Sequence, residues 1–83
     1  MGLIEIQVRI EGFIRSNFRV PDDDPRFDRT VDLYAGGYVD SVGVVELLEF
    51  VRTEFGVEVP ESDLLDPDFS TVDGVGRIVS RHL

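Results

Sequence analysis

The sequence predicts an all-α protein, a bundle of four helices, three long and one short, with a long loop between the first helix and the second. Three observations carry the prediction. Apolar residues recur at helical spacing along most of the chain, most regularly at Val44, Leu47, Leu48, Val51 and Phe55. Gly56, Pro60 and Pro67 punctuate the second half where helices should stop or restart. No pair of alternating apolar runs is joined by a Gly-rich turn, so no hairpin is offered.

The opening segment satisfies two periods at once. Ile4, Ile6, Val8 and Ile10 alternate as a strand would, while Leu3, Ile6, Ile10, Phe13, Ile14 and Phe18 follow helical spacing. The helical pattern runs on through Arg15 to Phe18, so length favours a helix. Residues 19–40 read as a long ordered loop, with Pro21 and Pro25 around Asp22, Asp23 and Asp24, and with Gly36 and Gly37 before its end. Phe27, Val31, Leu33 and Tyr34 are expected to pin it to the core.

The central helix should span about Ser41 to Phe55, turn its five-residue stripe to the core and end at Gly56, a residue that tolerates positive φ. Between Pro60 and Pro67 there is room for one helical turn, packing Leu64 and Leu65. A last helix begins near Ser70 and Thr71, where Ser70 with Asp73 resembles a capping box whose acid is Asp rather than Glu. Its apolar face is Val72, Val75, Ile78, Val79 and Leu83. Gly74 and Gly76 each lower helix propensity by about 1 kcal/mol relative to alanine, so this helix should depend on packing.

With 83 residues the chain makes one small domain, residues 1–83, able to bury a modest core and too small for a deep substrate cavity. Its net charge of −9 comes from seventeen acids against eight arginines, with no lysine. Such a surface argues against nucleic acid and anionic membrane, and for basic partner proteins. Without cysteine the chain forms no disulfide or thiolate metal site, and any thiol chemistry must be imported. No apolar run approaches a bilayer span, and the start Met1-Gly2-Leu3-Ile4-Glu5 lacks the layout of a signal peptide, so a cytoplasmic protein is expected. No long apolar stripe is left over once four helices pack, which predicts a monomer.

Ser41 is the residue to explain. A turn, Gly36-Gly37-Tyr38-Val39-Asp40, delivers it to the first turn of the central helix, beside unpaired backbone N–H groups and the positive end of the helix dipole. That setting favours a phosphate ester on the hydroxyl. A serine before an apolar-periodic run is most often a plain N-cap, but Asp40 is an equally good cap and would leave Ser41 free. The sequence does not decide between them. On the outward side of the same helix, Val42 and Val45 share a face with Glu46 and Glu49. Isolated exposed valines among glutamates usually mean a solvated face. A modified serine beside them would turn that face into a docking surface.

Catalytic chemistry has little support. His82 is the only histidine and stands next to the C-terminus, where a cation near a helix end is the plain explanation. Ser41 has no Gly-X-Ser-X-Gly context. The Asp22-Asp23-Asp24 cluster lacks EF-hand spacing and its distal glutamate, so a solvated turn is expected rather than a metal site. No catalytic residue and no metal ligand is assigned.

The stretch from Gly37 to Pro60 resembles the core of an acyl carrier protein. In that family Asp-Ser-Leu is followed by an amphipathic helix ending near Glu-Glu-Phe and then by an Ile-Pro or Val-Pro segment. Here the matching residues are Asp40-Ser41-Val42, Glu54-Phe55 and Val59-Pro60. A helix before a long loop and a final helix extend the resemblance over nearly the whole chain. Gly43 stands where fatty-acid carriers commonly have an acid, Val42 replaces leucine, and Glu49 replaces a frequent methionine. In this the chain is more similar to discrete carriers of D-alanine ligation and of antibiotic pathways, including those of glyceryl or methoxymalonyl units.

The resemblance implies a fold, the acyl-carrier helical bundle, and a function. A phosphopantetheinyl transferase would attach 4′-phosphopantetheine from coenzyme A to Ser41, with Asp40 helping to present the hydroxyl. A loading ligase or acyltransferase would charge the thiol with an acyl, aminoacyl or extender unit. Downstream synthase, condensing or tailoring enzymes would then dock on Val42, Val45, Glu46 and Glu49. The implied setting is polyketide, nonribosomal peptide or other specialised biosynthesis. The alternative is a cofactor-free acidic helical module that uses the same docking face.

Overall fold

The computed structural model describes all residues from Met1 to Leu83 and contains helices only: α1 (Leu3–Asn17), α2 (Ser41–Phe55), the single turn α3 (Glu61–Leu64) and α4 (Val72–Arg81), with a 3₁₀ turn at Pro67–Ser70. No helix is long and apolar enough to cross a membrane. The first segment is a helix, as its length predicts. Ile6, Ile10 and Ile14 are fully buried on one face, and α1 lies along α4, whose Val72, Val75, Ile78 and Val79 are fully buried against it. Gln7 is the one buried polar side chain, and its Nε2 donates to the Asp73 carbonyl oxygen at 3.2 Å, tying α1 to the first turn of α4.

Leu47, Val51 and Phe55 of α2 complete the core, with Val44 and Leu48 packed against its margin. Where α1 meets α2 the contact is aromatic. Phe13 stacks on Phe50 with centroids 4.3 Å apart, and Phe18 and Phe55 meet that pair edge-on. Gly56 closes α2 at φ 69°, a left-handed conformation that a side chain would strain.

The loop is bound at several points. Val20, Phe27, Leu33 and Val39 are buried, and Val31 and Tyr34 pack half-buried against the core. The Tyr34 hydroxyl donates to the Phe69 carbonyl oxygen at 2.9 Å, and the Leu33 N–H donates to that of Ser70 at 2.8 Å. Glu11 on α1 accepts from Arg15 at 2.9 Å and from Arg29 at 2.7 Å, clasping the loop from outside. Asp24 is part of the same framework: it accepts from the Arg26 N–H and from the Tyr38 hydroxyl, each at 2.9 Å. The three aspartates make no cluster able to hold a metal ion.

Four details differ from expectation or add to it. Leu65 is 80% exposed and Leu83 61% exposed; of the pair at the short helix only Leu64 packs. The cap of α4 is Thr71, whose Oγ1 accepts from the Gly74 N–H at 2.9 Å, because the Ser70 hydroxyl donates within its own 3₁₀ turn to the Pro67 carbonyl oxygen. Gly74 and Gly76 are close-approach positions. A Cβ on Gly74 would fall 1.8 Å from the Asp68 carbonyl oxygen, and one on Gly76 2.5 Å from Gln7 Cγ. His82 stands at the end of α4, as expected, and its Nε2 lies 2.7 Å from Asp63 Oδ2 on α3.

Candidate functional site

The backbone before Ser41 is fixed from within the loop. The Leu33 carbonyl oxygen accepts from the N–H groups of both Tyr38 and Val39, at 2.9 and 3.0 Å, and the Val39 side chain is buried. The chain therefore enters α2 at a set point. Asp40 is extended there, its Oδ1 accepts from the Gly43 N–H at 2.8 Å, and its carbonyl oxygen accepts from the Val44 N–H at 2.9 Å. Asp40 is thus the cap, which answers the question the sequence leaves open.

Ser41 is the first residue of the helix, exposed, with no capping duty for its hydroxyl. Two residues on, Gly43 is buried. A Cβ there would lie 2.7 Å from Phe18 Cε1 and 3.0 Å from Val39 Cγ1. The absence of a side chain lets the first turn of α2 rest directly on the end of α1 and on the loop, with Ser41 facing outward. The arrangement offers a free hydroxyl at a helix N-terminus, where a bound anion is favoured by the dipole and unpaired N–H groups. The one histidine is engaged with Asp63 at the far end of α4, so no imidazole is positioned to act as a base.

Val42 and Val45 are 67% and 65% exposed, and Glu46 and Glu49 are exposed beside them, so the four residues named from the sequence share one open face of α2. Two grooves flank it. The larger, of about 500 Å³, runs between α1 and α2 and adds Phe13, Asn17, Phe50 and Thr53 to the face. The smaller, of about 260 Å³, adds Leu48, Arg52, Glu58 and Val59 on the other flank. The sequence reading missed these neighbours. Phe13 belongs to the apolar stripe of α1, and nothing in a stripe says that a residue at its edge will also wall a groove shared with another helix.

Two comparisons with known proteins bear on this geometry. The family model described as the phosphopantetheine attachment site matches residues 3–79. The D-alanyl carrier protein of Lacticaseibacillus casei (strain BL23) is 34% identical over 59 residues, which cover 71% of this chain and 69% of that protein.

Proposed function

Because the chain belongs to the phosphopantetheine-attachment family of acyl carrier proteins, non-catalytic carriers whose covalent cofactor is 4′-phosphopantetheine, we propose that Ser41 is the residue that bears the group. The observation that carries this is the division of labour at the start of α2. Asp40 takes the capping hydrogen bond, leaving the Ser41 hydroxyl exposed at a helix end suited to a phosphodiester. The residues present therefore fit the cofactor. The cofactor supplies the thiol that this cysteine-free chain lacks, and with it the thioester linkage to a carried group.

The chain's own part is to hold and present. Leu33, Val39 and Gly43 set where Ser41 emerges, and Asp40 fixes the helix end on which it stands. Val42, Val45, Glu46 and Glu49 form the face that partner enzymes read: the transferase, a loading ligase or acyltransferase, and downstream synthase, condensing or tailoring enzymes. The net charge of −9 speeds encounter with basic patches and makes association salt-dependent.

The finer reading is a discrete carrier of an acyl, aminoacyl or extender unit in polyketide, nonribosomal peptide or related specialised biosynthesis. It rests on Gly43, Val42 and Glu49 where fatty-acid carriers commonly differ, and on the likeness to a D-alanyl carrier protein. The test is intact mass after incubation with coenzyme A, Mg²⁺ and a broad-specificity phosphopantetheinyl transferase. One added phosphopantetheine on the wild type and none on Ser41→Ala is expected. A folded wild type that gains nothing from an active transferase, or a Ser41→Ala variant that still gains the group, would overturn the assignment.

A further inference from the structure

Tyr38 stands three residues before Ser41 and takes no part in capping α2. It follows Gly36 and Gly37, the second at φ 80°, so the backbone on its N-terminal side has little stiffness of its own. On its C-terminal side only Val39 and Asp40 separate it from the serine. The ring is held from several directions. It lies over Gly36, where a Cβ would come 3.0 Å from Tyr38 Cε2. It meets the Phe27 ring edge-on with centroids 5.1 Å apart, and its hydroxyl donates to Asp24 Oδ2 at 2.9 Å. Phe27 is in turn buried, with the Arg15 guanidinium 4.5 Å from its ring centroid, so the anchorage reaches α1.

We propose that Tyr38 is a positioning residue for the modification of Ser41: anchored on Phe27 and Asp24, it steadies the entry to α2 so that the first turn is presented to the transferase intact. The inference rests on the attachment reading above and deepens it by naming what holds the serine ready. Helix ends are where local opening costs least. The Asp40 cap requires the extended backbone that Asp40 adopts at φ −104° and ψ −172°, and freedom gained at residue 38 is passed to it through Val39 alone.

The proposal also separates the three aspartates of the loop. Asp22 and Asp23 are exposed, whereas Asp24 is half-buried. Its carboxyl is drawn below the usual carboxylate range by the Arg26 N–H and then by the Tyr38 hydroxyl, while burial and then Asp24 push the phenol of Tyr38 above its own. At neutral pH the pair is an ionised acceptor and a protonated donor, a charge-assisted bond stronger than a neutral one.

The experiment removes this bond from either end. Tyr38→Phe keeps the ring on Phe27 and deletes the hydroxyl, Asp24→Ala deletes the acceptor, and Asp24→Asn keeps one. Two readouts are taken on each variant: the kinetics of transfer from coenzyme A by a broad-specificity phosphopantetheinyl transferase, and hydrogen exchange of the Gly43 and Val44 amides, both of which donate to Asp40. Tyr38→Phe and Asp24→Ala should each lower kcat about fivefold, the equivalent of one hydrogen bond. KM for the carrier should stay unchanged, because the docking face is untouched. The Gly43 and Val44 amides should exchange faster by a similar factor. Asp24→Asn should bring both readouts back toward the wild type, and Tyr38→Phe with Asp24→Ala should be no slower than either alone. Gln7→Ala, which cuts the hydrogen bond between α1 and α4, is the control for general destabilisation and should leave kcat in place. An unchanged kcat in Tyr38→Phe, a loss confined to KM, Asp24→Asn as slow as Asp24→Ala, additive effects, or equal slowing by Gln7→Ala would overturn the proposal. A wild type that gains no phosphopantetheine overturns the attachment reading and the proposal with it, and its intact mass reveals that before any variant is compared.

Discussion

At the start of α2, a capping carboxylate and a free hydroxyl occupy adjacent residues, and the two duties can be separated by substitution. Asp40→Ala removes the acceptor of the Gly43 N–H and should lower stability by about 1 kcal/mol. Asp40→Asn keeps an equally good cap without the charge, and should stay within about 0.5 kcal/mol of the wild type. Urea denaturation followed by circular dichroism checks both, and transferase kinetics on the stable Asn variant then isolate what the charge contributes to presenting Ser41. Gly43 is the second residue whose role is local. An alanine methyl there would press on Phe18 at 2.7 Å, and such overpacking costs about 1 to 3 kcal/mol. Phe18→Leu in the same chain should recover part of that loss, because the flexible replacement can give way. If the two substitutions add without coupling in a double-mutant cycle, the direct contact is not what makes Gly43 small.

At the scale of elements, two helix-interior glycines call for opposite outcomes under the same substitution. Gly12 on α1 is exposed, and a methyl placed there would have nothing within 4 Å, so Gly12→Ala should stabilise by about 0.4 to 1 kcal/mol. A methyl on Gly74 would meet the Asp68 carbonyl oxygen at 1.8 Å, so Gly74→Ala should destabilise by about 3 kcal/mol or more, the propensity gain being far smaller than the backbone clash. Thermal melts of the two variants decide it, and an equal shift of either sign for both would contradict the packing argument. The same pair shows what periodicity can and cannot tell. The helical character of α4 is legible from Val72, Val75, Ile78 and Val79, but its glycines read as a propensity defect, because the surface they approach comes from the 3₁₀ turn and from α1. The double period of α1 has a physical source as well. Ile4 is 70% exposed and Val8 49% exposed, so apolar residues stand on both sides of that helix and only its length separates helix from strand. Leu83 is in phase with the apolar stripe of α4 and Leu65 follows Leu64, yet each lies just beyond the last residue of its helix. The cap of α4 falls on Thr71, one residue after the serine that the capping pattern points to, since the preceding turn uses the Ser70 hydroxyl.

For the whole molecule, Asp40 and Ser41 are readable from sequence as adjacent candidates, though only the structure gives the cap to Asp40; the grooves are not readable at all, because they require α1 to lie beside α2 and bring Phe13 and Asn17 to a face that α2 alone does not possess. The loop raises the same question of distance in its energetics. It is held to α1 by Glu11, whose carboxyl the Arg29 hydrogen bond draws below the usual carboxylate range; partial burial opposes that shift and Arg15 adds to it. A group with a depressed folded pKa contributes fully above its unfolded value, here about 4.5, and loses its contribution as pH falls through the folded value. Acidification below about pH 4.5 should therefore loosen the clasp, and Glu11→Gln should show at neutral pH a loss of about 1 kcal/mol, modest because the arginines are partly solvated. Salt works in the opposite direction on the molecule at large, since screening relieves the self-repulsion of a chain with net charge −9 and should raise the midpoint of thermal unfolding at pH 7. Both tyrosines, Tyr34 and Tyr38, lie in the loop, and there is no tryptophan, so tyrosine fluorescence follows the loop while circular dichroism at 222 nm follows the helices. On acid titration at moderate salt, the tyrosine signal should change at a higher pH than the helical signal, and Glu11→Gln should remove that separation. Coincident transitions in the wild type would mean that the loop and the helices come apart as one unit, and that the Glu11 clasp is not a separable part of what positions Ser41.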